Sequence, residues 1–151
     1  MEAFAAAGGG FLLAVLWFDL MFDVQARGAA GGDVPEPALA SIAGYYGRVT
    51  TNARPMNWLV AAAMLATIAA TIVEIATGDV DAWVGWVSLV LVVTAVGLAA
   101  TQTVPNAVRL GSRRDPVEEQ SRLARRILHD HVVCFTLIAA LVVVQLVSAA
   151  S

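Results

Sequence analysis

Four long apolar stretches divide the chain, and each is about as long as a membrane-crossing helix. They cover approximately residues 4–23, 56–76, 82–104 and 127–149, and roughly 20 apolar residues are enough to cross the hydrocarbon core of a bilayer. Because the turn between the second and third stretches is very short, these two should form an antiparallel pair. The pattern predicts one all-α domain, an integral membrane bundle of four helices.

The polar segment between the first and second spans is long enough to contain structure of its own. Its first part, about residues 28–37, is rich in Gly and Pro and indicates a loop. Apolar side chains then recur at helical spacing: Leu39, Ile42, Tyr45, Tyr46 and Val49. Pro37 suits a first helical position. We therefore expect a short helix that lies in the membrane interface.

The fourth helix is predicted to begin well before its span. Asp115 is a candidate N-cap, Pro116 suits the first helical position, and Glu118 is the acid of a capping box. No helix breaker follows, so the helix should run unbroken from near Pro116 into the membrane. At 1.5 Å per residue it would protrude roughly 15 Å into the cytoplasm.

The basic residues give the chain an orientation. All nine are arginines, and they lie in the segments between spans one and two and between spans three and four. The opposite side has no basic residue. Since short loops rich in Lys or Arg stay cytoplasmic, both long segments should be inside and both termini outside. We expect a multi-pass protein of a bacterial-type cell (inner) membrane.

Composition narrows the classes of partner. A chain that is 59% hydrophobic is far from an ordinary soluble domain, so its first partner is the lipid bilayer. Membrane topology already accounts for the arginines, so no nucleic-acid partner is expected. Ala62, Ala66 and Ala70 form a ridge of small side chains that suits close helix packing. Homo-oligomers or complexes with other membrane subunits are therefore candidate assemblies.

Ionisable side chains gather near the cytoplasmic end of the spans. Asp19 lies about four residues inside the end of the first span, and Asp23 follows one turn later on the same face. His129 and His131 open the fourth span. Because ionisable residues inside spans are costly, they usually face the bundle interior or a wet cavity. We take Asp19, Asp23, His129 and His131 as candidate catalytic residues.

The second and third spans bring neutral and basic polar groups to the same level. Arg54 and Asn57 lie at the start of the second span, and Gln102 and Asn106 lie around Pro105 at the end of the third. Proline in a helix frees a carbonyl that needs another partner. Arg54, Asn57, Gln102 and Asn106 are the candidate substrate-binding residues.

A metal or haem site is a weaker hypothesis. Residues i and i+2 of a helix point about 200° apart, so His129 and His131 cannot easily bind one ion. One histidine, such as His131, could join Asp19 and Asp23 in a carboxylate–imidazole set that iron, manganese or zinc accepts. A bis-histidine haem needs histidines on facing helices, and this chain's only two share one helix. The cofactor stays unknown.

Glu74 stands apart from this group. It lies near the outer end of the second span, roughly level with Gln145 on the fourth. We expect its carboxylate to reach the outer membrane interface.

The layout resembles a known family of small four-helix membrane proteins, the anthrone-oxygenase-like family. The resemblance rests on the four spans, the long first inner segment, and the Thr-Val-Pro-Asn run from Thr103 to Asn106 before a histidine-bearing last span. It implies oxygenation of a polycyclic phenol without an obvious cofactor. The chain departs from the pattern in its pair Asp19 and Asp23, and in having His-Asp-His where a single histidine would do.

Three functional hypotheses follow from the sequence. The first is an oxygenase-like or oxidoreductase-like enzyme, or a binding protein, for a lipophilic phenol or quinone that enters from the bilayer. The alternative is a non-catalytic structural or accessory subunit of a larger membrane complex. Proton-coupled transport ranks third, because four spans make a scant pathway without oligomerisation.

Overall fold

The computed structural model describes residues 2–28, 32–52 and 54–150, and the regular elements in this part of the chain are all helical. It contains six α-helices: α1 (Glu2–Asp23), α2 (Glu36–Tyr46), α3 (Arg54–Thr77), α4 (Ala82–Leu98), α5 (Val104–Gly111) and α6 (Val117–Ala149). A 3₁₀ turn, Val24–Gly28, follows α1, and two π-helical segments cover Gly47–Asn52 and Ala99–Thr103. The predicted all-α class is confirmed.

Four helical stretches are long and apolar enough to cross a membrane: Ala3–Arg27, Pro55–Thr77, Ala82–Gly111 and Val117–Ala149. The protein is therefore a multi-pass membrane protein. The helix pairs in contact show that α1 packs against α3 and α6, and that α4 packs against the same two helices. The arginine-rich end of this bundle, where α1 ends and α6 begins, also carries α2 and α5.

The turn between α3 and α4 is as tight as the sequence predicts. Gly78 has φ +69°, and its N–H and that of Asp79 donate to the carbonyl of Glu74 at 3.0 and 3.3 Å. A left-handed glycine after the last helical turn satisfies carbonyls that would otherwise lack donors. The close return makes α3 and α4 the expected antiparallel pair.

Small residues in α1 let it approach both neighbours. A Cβ on Gly8 would collide with the Thr67 hydroxyl of α3, and a Cβ on Gly9 would lie 2.7 Å from Val142 of α6. The alanine ridge of α3 behaves differently, since Ala62 and Ala66 are exposed on the outer surface. Ala70, the third residue of the ridge, is buried, so only this end of the ridge packs within the chain.

The buried apolar residues form two clusters, one above the other along the bundle. The membrane cluster joins the four spans and includes Leu12, Val92, Ala95, Ile138 and Leu141. The second, which we call the end cluster, lies at the arginine-rich end and includes Leu39, Ile42, Leu110, Leu123 and Ile127. The short helix predicted after residue 38 is confirmed as α2, and its apolar face packs into the end cluster.

The third span continues farther than expected. Rather than ending near residue 104, the helix passes Pro105 and reaches Gly111, because the π segment Ala99–Thr103 absorbs the proline. In this wide turn the Val104 N–H donates to the Ala99 carbonyl, five residues back. A proline in an α-helix would leave a gap in the bonding at this point.

Helix α6 is unbroken over 33 residues, as predicted, but its predicted cap is wrong. Pro116 occupies the cap position and no side chain bonds the first turn. The Asp115 carboxylate instead binds the Arg109 guanidinium through two contacts of 2.9 Å. A bidentate ion pair of this kind is stronger than a single bond to a backbone N–H, so it takes the carboxylate away from the helix.

Candidate functional site

The site is centred on a histidine of α6 that lies between two aspartates of α1. His131 Nδ1 is 2.6 Å from Asp23 Oδ2, and His131 Nε2 is 3.8 Å from Asp19 Oδ2. Asp19 and Asp23 are one helical turn apart, so both carboxylates face the same neighbour. Asp23 is fully buried and His131 is 7% exposed. The structure brings these three side chains together near one end of the bundle, where the sequence predicts them.

Two adjacent tyrosines at the end of α2 complete the site. Tyr45 Oη donates to Asp19 Oδ1 and Tyr46 Oη donates to Asp23 Oδ1, each at 2.7 Å. Tyr46 Oη also lies 3.3 Å from His131 Nδ1. The Tyr45 ring stacks on Phe22 of α1 at a centroid distance of 4.1 Å. Each carboxylate therefore has a donor of its own, held in place by aromatic packing.

Burial raises the pKa of Tyr45 well above its ordinary value, and the nearby Asp19 carboxylate raises it further. Burial likewise raises the pKa of Tyr46, with Asp23 as the next cause. Both effects favour the neutral phenol, because a phenolate beside a carboxylate would be a buried pair of like charges. The two hydroxyls therefore remain hydrogen-bond donors throughout the physiological pH range.

The contact with Asp23 fixes the chemistry of the imidazole. A carboxylate accepts, so Nδ1 of the neutral ring must carry the proton, and Nε2 is then an acceptor. The nitrogen that does not bond Asp23 is the one nearer to Asp19, at 3.8 Å. A buried carboxylate that orients a histidine in this way is the arrangement used in general acid–base catalysis.

A cavity of about 510 Å³ opens beside the imidazole. Asp19, His131 and Asn57 contribute polar atoms to its wall, while Met64 and Val60 of α3 contribute apolar surface. A smaller cavity of about 120 Å³ shares Asp19 and His131 and extends into the membrane cluster. His131 thus borders a space large enough for a small organic molecule.

The rim of the larger cavity is apolar and exposed. Phe18 of α1, Met56 of α3 and Val104 of α5 line it, with exposed fractions of 60%, 48% and 50%. In a membrane bundle, exposed apolar side chains of the spanning helices face lipid. The cavity therefore communicates with the bilayer side of the protein.

The two histidines take different places, which the sequence analysis left open. The His129 side chain is 77% exposed, with Nδ1 3.5 Å from Asp130 Oδ1, and it does not line either cavity described above. His131, two residues later, points nearly the opposite way and into the bundle. Asp19, Asp23 and His131 are brought together, and His129 is left outside the group.

The candidate substrate-binding residues also separate. Asn57 lines the larger cavity, and its Nδ2 donates to the Thr50 carbonyl at 2.7 Å. Gln102 is exposed, and Asn106 is half-buried and lines neither of the two cavities. The side chain of Arg54 lies outside the part of the chain that the structure describes. Asn57 is thus the one of these side chains that borders the site within the described ranges.

The predicted carboxylate–imidazole set is arranged as hydrogen-bond partners. Within residues 2–28, 32–52 and 54–150, no three side chains of His, Cys, Asp or Glu are placed to hold a metal ion. His131 Nδ1 is hydrogen-bonded to Asp23 Oδ2, so these two atoms, which could each have bound a metal ion, bind each other.

Sequence reasoning missed the two tyrosines, which it used only as apolar positions of a helix. The sequence did contain a signal for them, because a buried tyrosine usually has a hydrogen-bond partner for its hydroxyl. Two neighbouring tyrosines on the packed side of a short helix therefore called for two acceptors, and Asp19 and Asp23 were at the same level of the bundle.

A second polar group is buried toward the opposite end of the bundle. Gln145 Nε2 donates to Glu74 Oε2 at 2.9 Å and to Ser88 Oγ at 3.0 Å, and all three residues are fully buried. The expectation that Glu74 reaches the outer interface is therefore wrong, although its level with Gln145 is right. An amide on the facing helix lets a carboxyl group stay in the bundle.

Comparison with known proteins does not assign the chain to a family. The chain matches no family model, and no curated protein or solved structure matches it significantly. The resemblance to the anthrone-oxygenase-like family stays a prediction, and the function must be argued from the chemistry of the site.

Proposed function

We propose that this protein is a membrane enzyme that takes a proton from a lipophilic phenol, or returns one to a quinone-derived oxygen, at the cytoplasmic end of its bundle. The observation that carries the proposal is the 2.6 Å contact between His131 Nδ1 and the buried Asp23. It orients the ring and leaves Nε2 as the base that faces a largely apolar cavity.

The proton transfer follows from the surroundings of the imidazole. Nε2 accepts the proton of a phenol hydroxyl, which leaves a phenolate in the cavity and a positive charge on His131. Asp23 and Asp19 lie on either side of that charge and stabilise it, since attraction between opposite charges is stronger in a largely buried site than in water. Tyr45 and Tyr46 hold the two carboxylates in position by donating to them.

The size and lining of the cavity suit a lipophilic aromatic substrate. Its volume of about 510 Å³ lies within the usual range of small-molecule sites. The exposed rim at Phe18, Met56 and Val104 suits a molecule that partitions into the bilayer before it binds. The resemblance noted in the sequence implies oxygenation of a polycyclic phenol, and a phenolate is the electron-rich form from which such oxidation proceeds.

The location is part of the same proposal. The arginines lie at the end of the bundle that carries the site, and the positive-inside rule places that end in the cytoplasm. We assign the protein to a bacterial-type inner membrane with both termini outside.

Naphthol, whose neutral and ionised forms absorb differently, tests the proposal. The purified protein in detergent should bind naphthol and hold part of it as naphtholate at a pH where free naphthol is neutral. His131→Gln should abolish this ionisation, and Asp19→Asn should reduce it strongly. His129→Gln is the matched control, since it removes an exposed imidazole from the same helix, and it should behave as wild type.

The proposal fails if wild-type protein does not bind naphthol, or if His131→Gln ionises the probe as well as wild type does. Either result would favour the alternative, an accessory subunit of a membrane complex. The observation that supports this second candidate is the outward-facing alanine ridge at Ala62 and Ala66, which suits packing against another helix.

A further inference from the structure

The hydroxyl of Thr103 differs from those of six other helical threonines. Six threonines donate to a carbonyl one turn earlier in their own helix: Thr50, Thr67, Thr71, Thr77, Thr101 and Thr136. Thr103 is only 3% exposed, and its Oγ1 has no hydrogen-bond partner among the described residues. Buried hydroxyls are nearly always bonded, so this one indicates a missing partner.

The hydroxyl lies at the end of a π turn. In a regular α-helix Thr103 Oγ1 would bond the carbonyl of Ala99, four residues back. Here the Val104 N–H donates to that carbonyl, and Thr103 Oγ1 bonds neither it nor any other acceptor among the described residues. Thr103 is also the buried residue of the segment Ala99–Thr103. Single π turns inside α-helices are frequent at functional sites.

The residue that carries this hydroxyl lines the site. Thr103 lines both the larger and the smaller cavity, and Asp19 and His131 are among the residues that line both as well. A molecule that places one polar atom at His131 therefore has Thr103 on the wall of the same space. Its ring would occupy the apolar surface between these groups.

We propose that Thr103 binds the ligand, donating a hydrogen bond to a carbonyl oxygen on the ring whose hydroxyl meets His131. This assignment rests on the function proposed above and makes it more specific. The ligand class is an aromatic compound with both a hydroxyl and a ring carbonyl, such as a hydroxyquinone. The hydroxyl supplies the proton and the carbonyl accepts from Thr103.

Two probes separate these contacts. Naphthol carries one hydroxyl, and hydroxynaphthoquinone carries a hydroxyl and ring carbonyls. Thr103→Val keeps the side-chain shape and removes the hydroxyl, so it should weaken hydroxynaphthoquinone binding about tenfold, the usual size of one neutral hydrogen bond. Naphthol binding should not change. Thr103→Ser should restore tight binding of hydroxynaphthoquinone.

Thr101→Val is the matched control. Thr101 belongs to the same π segment, but it is exposed and bonds the Gly97 carbonyl at 2.7 Å. Its substitution should leave both affinities at the wild-type value. The assignment of Thr103 is overturned if Thr103→Val weakens both probes equally, which would indicate a packing effect, or if it weakens neither.

The two proposals fail in different ways. If His131→Gln abolishes naphthol ionisation while Thr103→Val has no effect, the acid–base function stands and the Thr103 contact is wrong. If Thr103→Val discriminates between the probes while His131→Gln leaves ionisation intact, the Thr103 contact stands and the acid–base role is wrong. Failure of wild-type protein to bind either probe overturns both.

Discussion

Tyr46→Phe measures how much the buried hydrogen-bond set contributes to stability. The substitution removes one oxygen and keeps the ring. Tyr46 is 2% exposed and its acceptor Asp23 is fully buried, with 2.7 Å between Oη and Oδ1. Water cannot easily take the place of the lost hydroxyl, so a carboxylate oxygen is left without its donor.

The expected loss follows from the kind of bond removed. Hydrogen bonds to charged groups contribute about 1.5–3 kcal/mol in soluble proteins, whereas hydrogen bonds between membrane helices average about 0.6 kcal/mol. Asp23 is fully desolvated but keeps its contact with His131, so we expect Tyr46→Phe to lower the free energy of unfolding by about 2 kcal/mol. Tyr45→Phe is the matched control. Its acceptor Asp19 is 14% exposed, which lets water compensate, so the loss should be below about 1 kcal/mol.

The assay is reversible unfolding in mixed micelles, titrated with sodium dodecyl sulfate and followed by helical circular dichroism. Both variants and wild type should unfold in a single transition, displaced most for Tyr46→Phe. Equal destabilisation by the two variants would refute the argument, because it depends on the difference in burial between the two acceptors. A Tyr46→Phe protein as stable as wild type would mean that the hydroxyl contributes nothing.

The remaining predictions concern ionisation and orientation. The chain's only two tyrosines are both in the site, and burial raises the pKa of each above the ordinary value of about 10. The unfolded chain then loses these protons first as pH rises, so stability should be full below about pH 10 and fall above it. Tyrosinate absorbance should appear only with unfolding, and gradual ionisation of an intact fold near pH 10 would contradict this. Compartment reporters fused at Ser151 and inserted within residues 32–36 should give opposite signals, with the insertion cytoplasmic. Signals from the same side would show that the arginines do not set the orientation.

The spans and the unbroken fourth helix were predictable because they depend on local pattern. Apolar length determines which helices cross the membrane, and the absence of a breaker between Pro116 and Ala149 keeps α6 continuous. The cap of α6 was not predictable in the same way. Asp115 has the right position for a cap, but the turn between α5 and α6 brings Arg109, six residues earlier, beside it, and no local rule ranks the two partners.

The sequence pattern of α6 can distinguish His131 from His129. Polar residues of a lipid-facing helix turn inward, so Gln145 marks the inward face of α6. His131 lies two heptads before Gln145 and therefore shares its face, whereas His129 lies on the other side. The roles of Tyr46 and Thr103 were harder to predict from sequence. The contact of Tyr46 depends on how α2 packs against α1, and Thr103 lies in a π turn.

The end cluster has a consequence for how the protein is made. It combines residues of α2, α5 and α6, and α6 leaves the ribosome after the other helices. Until then Asp19 and Asp23 have no imidazole between them, and Glu74 has no Gln145. A nascent chain thus carries, in or beside the bilayer, carboxyl groups that still lack their α6 partners, and ionisable groups inside a membrane are costly. Arrival of α6 supplies both partners at once, so this one helix relieves the cost at both ends of the bundle.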